Sequence, residues 1–319
     1  MTQQVKFSVC IPAYKSKYLE DCILSILNQS HHDWELVLLN DCSPEPVEAI
    51  VDRFDDPRIR YFKNETNVGA VDLVHNWNKC LDLARGEYIM IMGDDDLLDP
   101  KYLEEFSKLI LAYPQVEVYH CRSKIIDDDG ETVMLTPSCP TFESVYDSIW
   151  HRLRQLRSNY ISDYVYRSDS LKARGGFYYL PLAWGSDDIT AFIASAEKGI
   201  AHSNKPVFQY RDNRLSITST GNDLEKMNAN LGYAEWLKNF LTNTPSDPEA
   251  KIVHGHLASQ QKHYMRQRKI FTMAKSMVSN PLQKSLLWLK HRERYGLTVQ
   301  DIVLAMAKGI KMKASIRKV

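Results

Sequence analysis

Several features are missing from this 319-residue chain, and each absence excludes a class of protein. No apolar stretch approaches bilayer-spanning length, so no membrane-crossing helix is expected. The N-terminus does not read as a secretory signal: Met1 to Lys6 is polar, and the apolar run behind it breaks at Pro12. Neither acid nor base is in excess. Forty basic side chains face forty acidic ones, which removes the global field that nucleic-acid binding uses. Cysteines number six (10, 22, 42, 80, 121 and 139), with no Cys-x-x-Cys pair and no metal-site spacing. They read as reduced thiols of a cytosolic chain, several of them buried. There is no fixed-period repeat and no low-complexity tract. A Gly-x-x-x-x-Gly-Lys-Ser/Thr loop is absent too, and no Gly-rich basic loop follows the first strand. That argues against the alternative of a metal-dependent nucleotidyl or phosphoryl transferase. What remains is ordinary for a globular protein, 44% apolar and 25% charged, with length for one large or two medium domains.

The stretch around which the rest is built runs from Glu87 to Pro100. Tyr88 to Met92 is a continuous apolar run of strand length, as expected for a strand buried on both faces. Gly93 and three successive carboxylates follow, Asp94, Asp95 and Asp96. Asp99 reads as the N-cap of a helix with Pro100 in its first turn. Three adjacent carboxylates repel unless a cation compensates, and a hard divalent metal is the simplest compensation. Taken alone, the triplet reads equally as a solvated acidic turn.

Around it, strands and helices alternate. Phe7–Ile11, Trp34–Leu39, Arg58–Lys63, Tyr88–Met92 and Val116–Cys121 read as strands, with helical spacing between them. The alternation predicts an α/β fold, a mostly parallel sheet flanked by helices. Right-handed crossovers place Pro12, Asp41 and Asp94–Asp96 along one sheet edge, where ligands of such folds bind. Beyond Cys121 the pattern predicts a hairpin turning at Asp129-Gly130, a helix over 142–156 carrying Arg152, Arg154 and Arg157, a strand over 160–166, and a helix over 188–198 opened by Asp187-Asp188. Thr218 to Asn222 reads as a domain boundary. From about residue 221 the pattern is helical only. Leu282, Leu286, Leu289, Val299, Ile302, Val303, Met306 and Ile310 have core spacing, and the tail is basic through Lys308, Lys311, Lys313, Arg317 and Lys318.

Taken in order, these pieces resemble a known family, the inverting family 2 glycosyltransferases of bacterial cell-surface polysaccharide type. The resemblance rests on Ser8–Tyr14, Ser25–Gln29, Trp34–Asp41, Asn67–Gly69, Ala84–Ile89, Asp94–Pro100, Gly175–Phe177, Asp187-Asp188, Glu197–Gly199 and the Tyr210-Arg211 pair before Ser216. It covers residues 5 to about 220. It implies a GT-A fold, with a Rossmann-like sheet in a catalytic domain over 1–220 and an all-helical region over 221–319. It implies a hexosyl- or N-acetylhexosaminyl-transferase that uses a nucleotide-diphosphate sugar, a UDP-sugar, and Mn2+ or Mg2+. By the same resemblance, Pro12, Ala13 and Tyr14 line the base pocket, Asp41 and Asn67 belong to the nucleotide-sugar site, and Asp94 takes the ribose contact. Asp95 binds the metal and Asp188 is the catalytic base. Asp187 and Trp184 lie on the acceptor side, Trp184 as a stacking surface. Two departures stand out: Gly93 occupies the first position of the family's Asp-x-Asp motif, and Asn213 stands where many members carry a histidine.

The chemistry suits these residue types independently. Breaking a C1–O–phosphate bond loads negative charge onto the departing diphosphate, which a divalent cation stabilises. The attacking hydroxyl must lose a proton to a carboxylate on the opposite side of the donor. Plainer roles stand beside these: Asp41 as a cap, Asp187 and Asp188 as a helix-dipole pair, Trp184 as core, and Lys79, Arg122 and Arg154 as solvated cations. The expected partners are the nucleotide-sugar donor and a glycan or lipid-linked acceptor, with no nucleic acid. The basic C-terminal helices suggest peripheral contact with the inner face of the membrane by an otherwise cytoplasmic protein, or a homodimer contact.

Overall fold

A computed structural model describes residues 6–212 and 222–316, with side chains described up to 313. Asn213, Ser216, the boundary residues 218–221, and Arg317 and Lys318 lie outside the described residues. The chain divides into two compact units. One comprises Met1–Tyr179 with Ser186–Thr220, the other Leu180–Gly185 with Gly221–Val319.

The described residues of the first unit form ten strands: β1 Phe7–Ala13, β2 Trp34–Asn40, β3 Ile59–Lys63, β4 Tyr88–Ile91, β5 Leu97–Leu98, β6 Val118–Ile126, β7 Thr132–Leu135, β8 Phe142–Glu143, β9 Tyr164–Arg167 and β10 Ile200–Arg211. Helices α1 Leu19–Leu27, α2 Val47–Val51, α3 Leu73–Leu83, α4 Tyr102–Ala112, α5 Val145–Leu153, α6 Ser168–Ala173 and α7 Ser186–Ser195 connect them. The sheet order is β3-β2-β1-β4-β9-β6-β10-β5, with β7 on β6 and β8 on β10. β3, β2, β1 and β4 run parallel, as do β6 and β10. β2 and β4 are buried throughout, because helices cover both faces of the sheet.

The parallel half is tied by a charged residue inside it. Glu35 of β2 is buried and accepts hydrogen bonds from Ser8 Oγ (2.6 Å), Arg85 N (2.6 Å) and Arg60 Nη1 (2.7 Å). Gly86 makes this possible. A Cβ there would lie 2.6 Å from both the Phe7 carbonyl carbon and Ser8 N, so only glycine lets its N–H approach Ser8 Oγ at 2.8 Å. Registers align the strand ends: Ala13 pairs with Asn40 and Asn40 with Lys63, while Met92 N donates to Cys10 O at 2.8 Å. The loops carrying Tyr14, Asp41 and Asp94 therefore leave the sheet at the same edge.

Several local expectations change. The segment 160–166 is not one strand: a 3-10 turn at Ile161–Asp163 precedes β9, because the Asp163 carboxylate turns back to accept Tyr160 N at 3.1 Å. β9 then inserts antiparallel between β4 and β6. Helix α5 starts at Val145, capped by Ser144, and Phe142–Glu143 pairs with β10 instead. Asp99 is not the N-cap of α4, which begins at Tyr102. Its Oδ1 accepts from Lys101 N at 3.1 Å.

Glu117, just before β6, takes Arg174 Nη2 at 2.8 Å and Lys198 Nζ at 2.6 Å. Burial pushes its carboxyl up, but hydrogen bonds from Lys198, Ser170 and Arg174 outweigh this and hold it at about 2, below the ordinary 4.5. Because the folded value is the lower one, the stabilisation is fully present above the unfolded value and fades as pH falls toward the folded one. Glu117→Gln is expected to cost about 1–2 kcal/mol at neutral pH, less than the whole shift because the Lys198 side chain is 43% exposed and water screens the pair, and the deficit should shrink between about pH 5 and about pH 2. Urea melts of both proteins across that range check it.

The second unit contains helices α8 Asp223–Phe240, α9 Pro248–Ser276, α10 Pro281–Tyr295 and α11 Val299–Ile316. Its core gathers Met227, Ile270, Met273, Trp288, Tyr295 and Ile302. Residues with core spacing in the sequence do not all go inside. Leu282 is 75% exposed, Leu286 68%, Val303 56%, Val299 51% and Ile310 50%. The packing is done by Trp288, whose Nε1 donates to Ser276 Oγ at 2.9 Å, and by Ile302 and Ala305. None of the described helices is long and apolar enough to cross a membrane.

Candidate active site

Pro12 and Ala13 close β1, and Tyr14 beyond them is 42% exposed. The next backbone groups turn toward the acidic triplet: Tyr14 N and Lys15 N donate to Asp94 Oδ2 at 2.8 and 2.7 Å. Asp41 follows β2, and its N–H donates to Ala13 O at 2.9 Å. Its buried carboxylate accepts from Asn64 Nδ2 (2.8 Å), Asn67 Nδ2 (2.9 Å) and Val68 N (3.1 Å). Asn64 is oriented in turn by Asn76 and by Lys79 Nζ, at 2.8 and 2.7 Å. Lys79 is thus bound to this network rather than solvated. The plain capping role for Asp41 does not describe it, since its donors come from the loop after β3.

The triplet leaves β4 with its carboxylates in three environments. Asp94 is buried, and burial followed by the Asp95 charge raises its carboxyl to about 6 despite the bonds from Tyr14 and Lys15. Asp95 accepts Lys15 Nζ on Oδ2 at 2.9 Å. Asp96 is buried deeper, and accepts Arg211 N on Oδ1 at 2.9 Å and Ser162 Oγ on Oδ2 at 3.4 Å. Burial, then Asp95, pushes its carboxyl well up. Asp96 is therefore a structural acid joining β4 to β10. Arg211 completes that joint: Nε donates to Asp95 O at 2.9 Å, and Nη1 to the carbonyls of Asp127 and Asp128. Gly93 has a steric reason. A Cβ there would meet Asp96 Oδ2 at 2.7 Å and Asp95 Oδ1 at 3.1 Å, so a third carboxylate would have to displace the other two.

Asp187 and Asp188 lie in the first turn of α7, Asp187 half-buried and Asp188 fully buried. Arg152 from α5 donates through Nε to Asp188 Oδ1 at 2.7 Å, and through Nη1 to Arg157 O at 3.0 Å. Trp184 falls in the Leu180–Gly185 segment that belongs to the second unit, where Lys226 and Lys275 ammoniums lie 5.2 and 5.8 Å from its ring. Just before it, Leu182 and Ala183 adopt left-handed backbone, φ 59° and 52°. Two successive non-glycine residues there mark stored strain of the kind found at functional turns.

The sequence profile of Glycosyl transferase family 2 matches residues 8–171, just over half of the chain, a span that includes Tyr14, Asp41 and Asp94–Asp96. The chain belongs to glycosyl transferase family 2. Among curated relatives of this family 2 chain is WcaA of Escherichia coli (strain K12), whose name assigns it to colanic acid biosynthesis as a glycosyl transferase. It is 31% identical over 166 residues, which are 50% of this chain and 57% of that protein. The chain spans less than two thirds of the length of such relatives. Residues 1–349 of S. aureus TarS, solved in complex with UDP-GlcNAc, superpose with a TM-score of 0.62 at 17% identity, covering 98% of this chain and 92% of that one. The mannosyltransferase PcManGT from Pyrobaculum calidifontis, in complex with GDP-Man and Mn2+, gives 0.55 at 15%, covering 97% and 88%. The fold of the family 2 chain is therefore GT-A: a mixed sheet flanked by helices, followed by a helical region.

Sequence reasoning gave no site role to Lys15, Asn64 or Arg152. Each is an ordinary polar residue whose partner lies on another element. The acidic triplet called for a cation, and Lys15 supplies one from the β1 loop.

Proposed function

We propose that the chain transfers a sugar from a nucleotide-diphosphate donor, a UDP-sugar, to an acceptor hydroxyl with inversion at C1, in the assembly of a surface polysaccharide or glycoconjugate. The observation that carries this is the joining of the β1 loop to Asp94 and Asp95 beside the buried Asp41–Asn64–Asn67 network, at one sheet edge of a family 2 chain. Pro12, Ala13 and Tyr14 wall the base, Asp41 and Asn67 anchor it, and Asp94 meets the ribose. Hard carboxylate oxygens that hold the Lys15 ammonium suit Mn2+ or Mg2+, with Asp95 as protein ligand and donor phosphates supplying the rest. The ion would supply Lewis-acid stabilisation of the leaving diphosphate. On the other side, Asp188 takes the acceptor's proton as the hydroxyl oxygen bonds to C1 and the C1–O–phosphate bond breaks. Arg152 holds its carboxylate in place, and Asp187 beside it faces the acceptor. Incubation with a panel of nucleotide sugars and Mn2+, scored for released nucleoside diphosphate and for pyrophosphate, tests the reading. Diphosphate release with one donor is expected; pyrophosphate release instead would overturn it.

The acceptor is lipid-linked on this reading, met at an anionic membrane through the exposed Leu282, Leu286, Val299 and Val303 and the neighbouring lysines and arginines of α10 and α11. Full-length protein should co-sediment with vesicles containing anionic lipid, and a Leu282→Glu/Leu286→Glu variant should lose most of that binding. Equal negligible binding by both removes the membrane from the proposal, and a wild-type dimer that the variant breaks assigns the face to a second copy.

A further inference from the structure

Away from the donor edge, β6 and β10 bring two histidines together. His120 and His202 are register partners on these parallel strands, and their Nδ1 atoms lie 3.1 Å apart. Cys139, on the segment entering β8, completes a group whose three ligand atoms all lie within 4.8 Å of one another. All three residues are inside the protein, with exposures of 3%, 5% and 9% for His120, His202 and Cys139. Two imidazole nitrogens at this distance require a proton or a cation between them.

The far nitrogens say more. His120 Nε2 lies 3.5 Å from Asp163 Oδ1, and His202 Nε2 lies 3.2 Å from Glu143 Oε1. Both carboxylates are held from behind. Asp163 Oδ2 accepts Ser123 Oγ at 3.0 Å and Tyr160 N at 3.1 Å, and Glu143 Oε2 accepts Arg157 Nη2 at 3.1 Å. A carboxylate behind a ring nitrogen keeps the proton there and leaves the lone pair on the opposite nitrogen, the arrangement that prepares histidines for a metal. Here a carboxylate stands at ion-pair distance behind each ring, and the opposite nitrogens meet at 3.1 Å. The third donor is fixed as well: Asn204 clamps the Cys139 backbone, accepting its N–H at 2.9 Å and donating to its carbonyl at 2.8 Å.

We propose that His120, Cys139 and His202 form a transition-metal site that takes Zn2+, separate from the carboxylate site at the donor edge. Ligands on one tetrahedral Zn2+ lie roughly 3.3–3.6 Å apart, so the two nitrogens are already placed and the sulfur closes in by a small rotation. Binding releases the thiol proton to solvent and forms a zinc–thiolate bond, and the fourth position is left for water. Two imidazoles and a thiolate select Zn2+ over the oxygen-seeking Mn2+ and Mg2+. The ion would staple the segment entering β8 onto the sheet. It would also brace Asp163, next in sequence to the Ser162 that bonds Asp96.

The test uses the full-length protein. Metal analysis after chelator-free purification should find about one Zn2+ per chain. Chelator-stripped protein titrated with Co2+ should show intense tetrahedral d–d bands with a sulfur-to-cobalt charge-transfer band, both bleached by Zn2+. Cys139→Ser should lose the charge-transfer band, and Asp163→Asn should weaken Zn2+ binding roughly 10- to 100-fold. Asp95→Ala should keep the full spectrum, since it alters only the donor edge. Circular dichroism confirms that each variant is folded. Should Cys139→Ser fail to fold, the wild-type spectrum decides alone. Folded wild-type protein that takes up no Co2+, or shows only weak octahedral bands, overturns the proposal, as does a charge-transfer band that survives in folded Cys139→Ser.

Discussion

Replacing Asp188 with asparagine is expected to lower kcat by roughly 10²–10⁴-fold, with the donor's Kd close to wild type. Asparagine keeps the shape but cannot accept a proton, and the proposed base faces the acceptor rather than the nucleotide. The structure adds a stability component that the sequence alone did not suggest. Asp188 is fully buried and holds Arg152 Nε at 2.7 Å, and the Arg152 side chain is 25% exposed. Breaking a buried pair costs up to about 3–5 kcal/mol, and partial hydration of Arg152 places this case at or below the lower end. The melting temperature should therefore fall, and the kinetics belong well below it. Asp187→Asn, altering a half-buried residue beside the proposed base, should lower kcat less. The wild-type product should carry the anomeric configuration opposite to the donor's, read by NMR. Near-normal turnover in Asp188→Asn, or retained configuration, would assign the base elsewhere.

Asp95→Ala should abolish the metal-dependent part of donor binding. Calorimetry of a UDP-sugar with and without Mn2+ should show a clear enhancement in the wild type and none in the variant. Lys15 Nζ holds Asp95 Oδ2 at 2.9 Å and lies 3.9 Å from Asp94 Oδ1, but Asp94 Oδ2 is also engaged by two backbone N–H groups and Asp96 by Arg211 N and Ser162, so the Asp95 contact is the one a metal ion would replace. Lys15→Met separates the two cations. Without the ammonium the triplet's repulsion is uncompensated, so Mn2+ should bind the variant more tightly than the wild type in the absence of nucleotide. An unchanged Mn2+ enhancement in Asp95→Ala would count against this ligand assignment.

The parallel half of the sheet was legible because its signals are local. β1, β2 and β4 are short, mainly apolar runs broken only by Ser8 in β1 and by Glu35 and Asn40 in β2, each bounded near Pro12, Asp41 or Gly93, and the crossovers between them have one hand. The insertion of β9 was not legible. Tyr164–Arg167 is short, and its pairing is decided by which neighbours remain unpaired after β4 and β6 are laid down. The exposed leucines and valines of α10 and α11 show the same limit: helical spacing says that residues share a face, not that the face finds a partner. At the site, Asp41 and the triplet stand out by residue type and place. Asn64, Lys15 and Arg152 acquire meaning only through contacts across 23, 80 and 36 residues. The histidine pair is an extreme case, joined across 82 residues by strand register alone.

That same register has a consequence for the order in which the chain assembles. β1, β2 and β3 pair within a short span, and a hydrophobic nucleus can close there at modest loop-closure cost. β7 pairs with β6 locally, whereas β9 and β10 come later in the chain, so β6 is expected to keep an open edge for part of folding, with buried-type residues such as Val118, Tyr119 and Cys121 uncovered. Long-range parallel pairing is slow and leaves such edges available to other chains. Refolding from denaturant should therefore show a slow phase assigned to β10 docking, with losses to aggregation that grow with protein concentration during that phase and not before it.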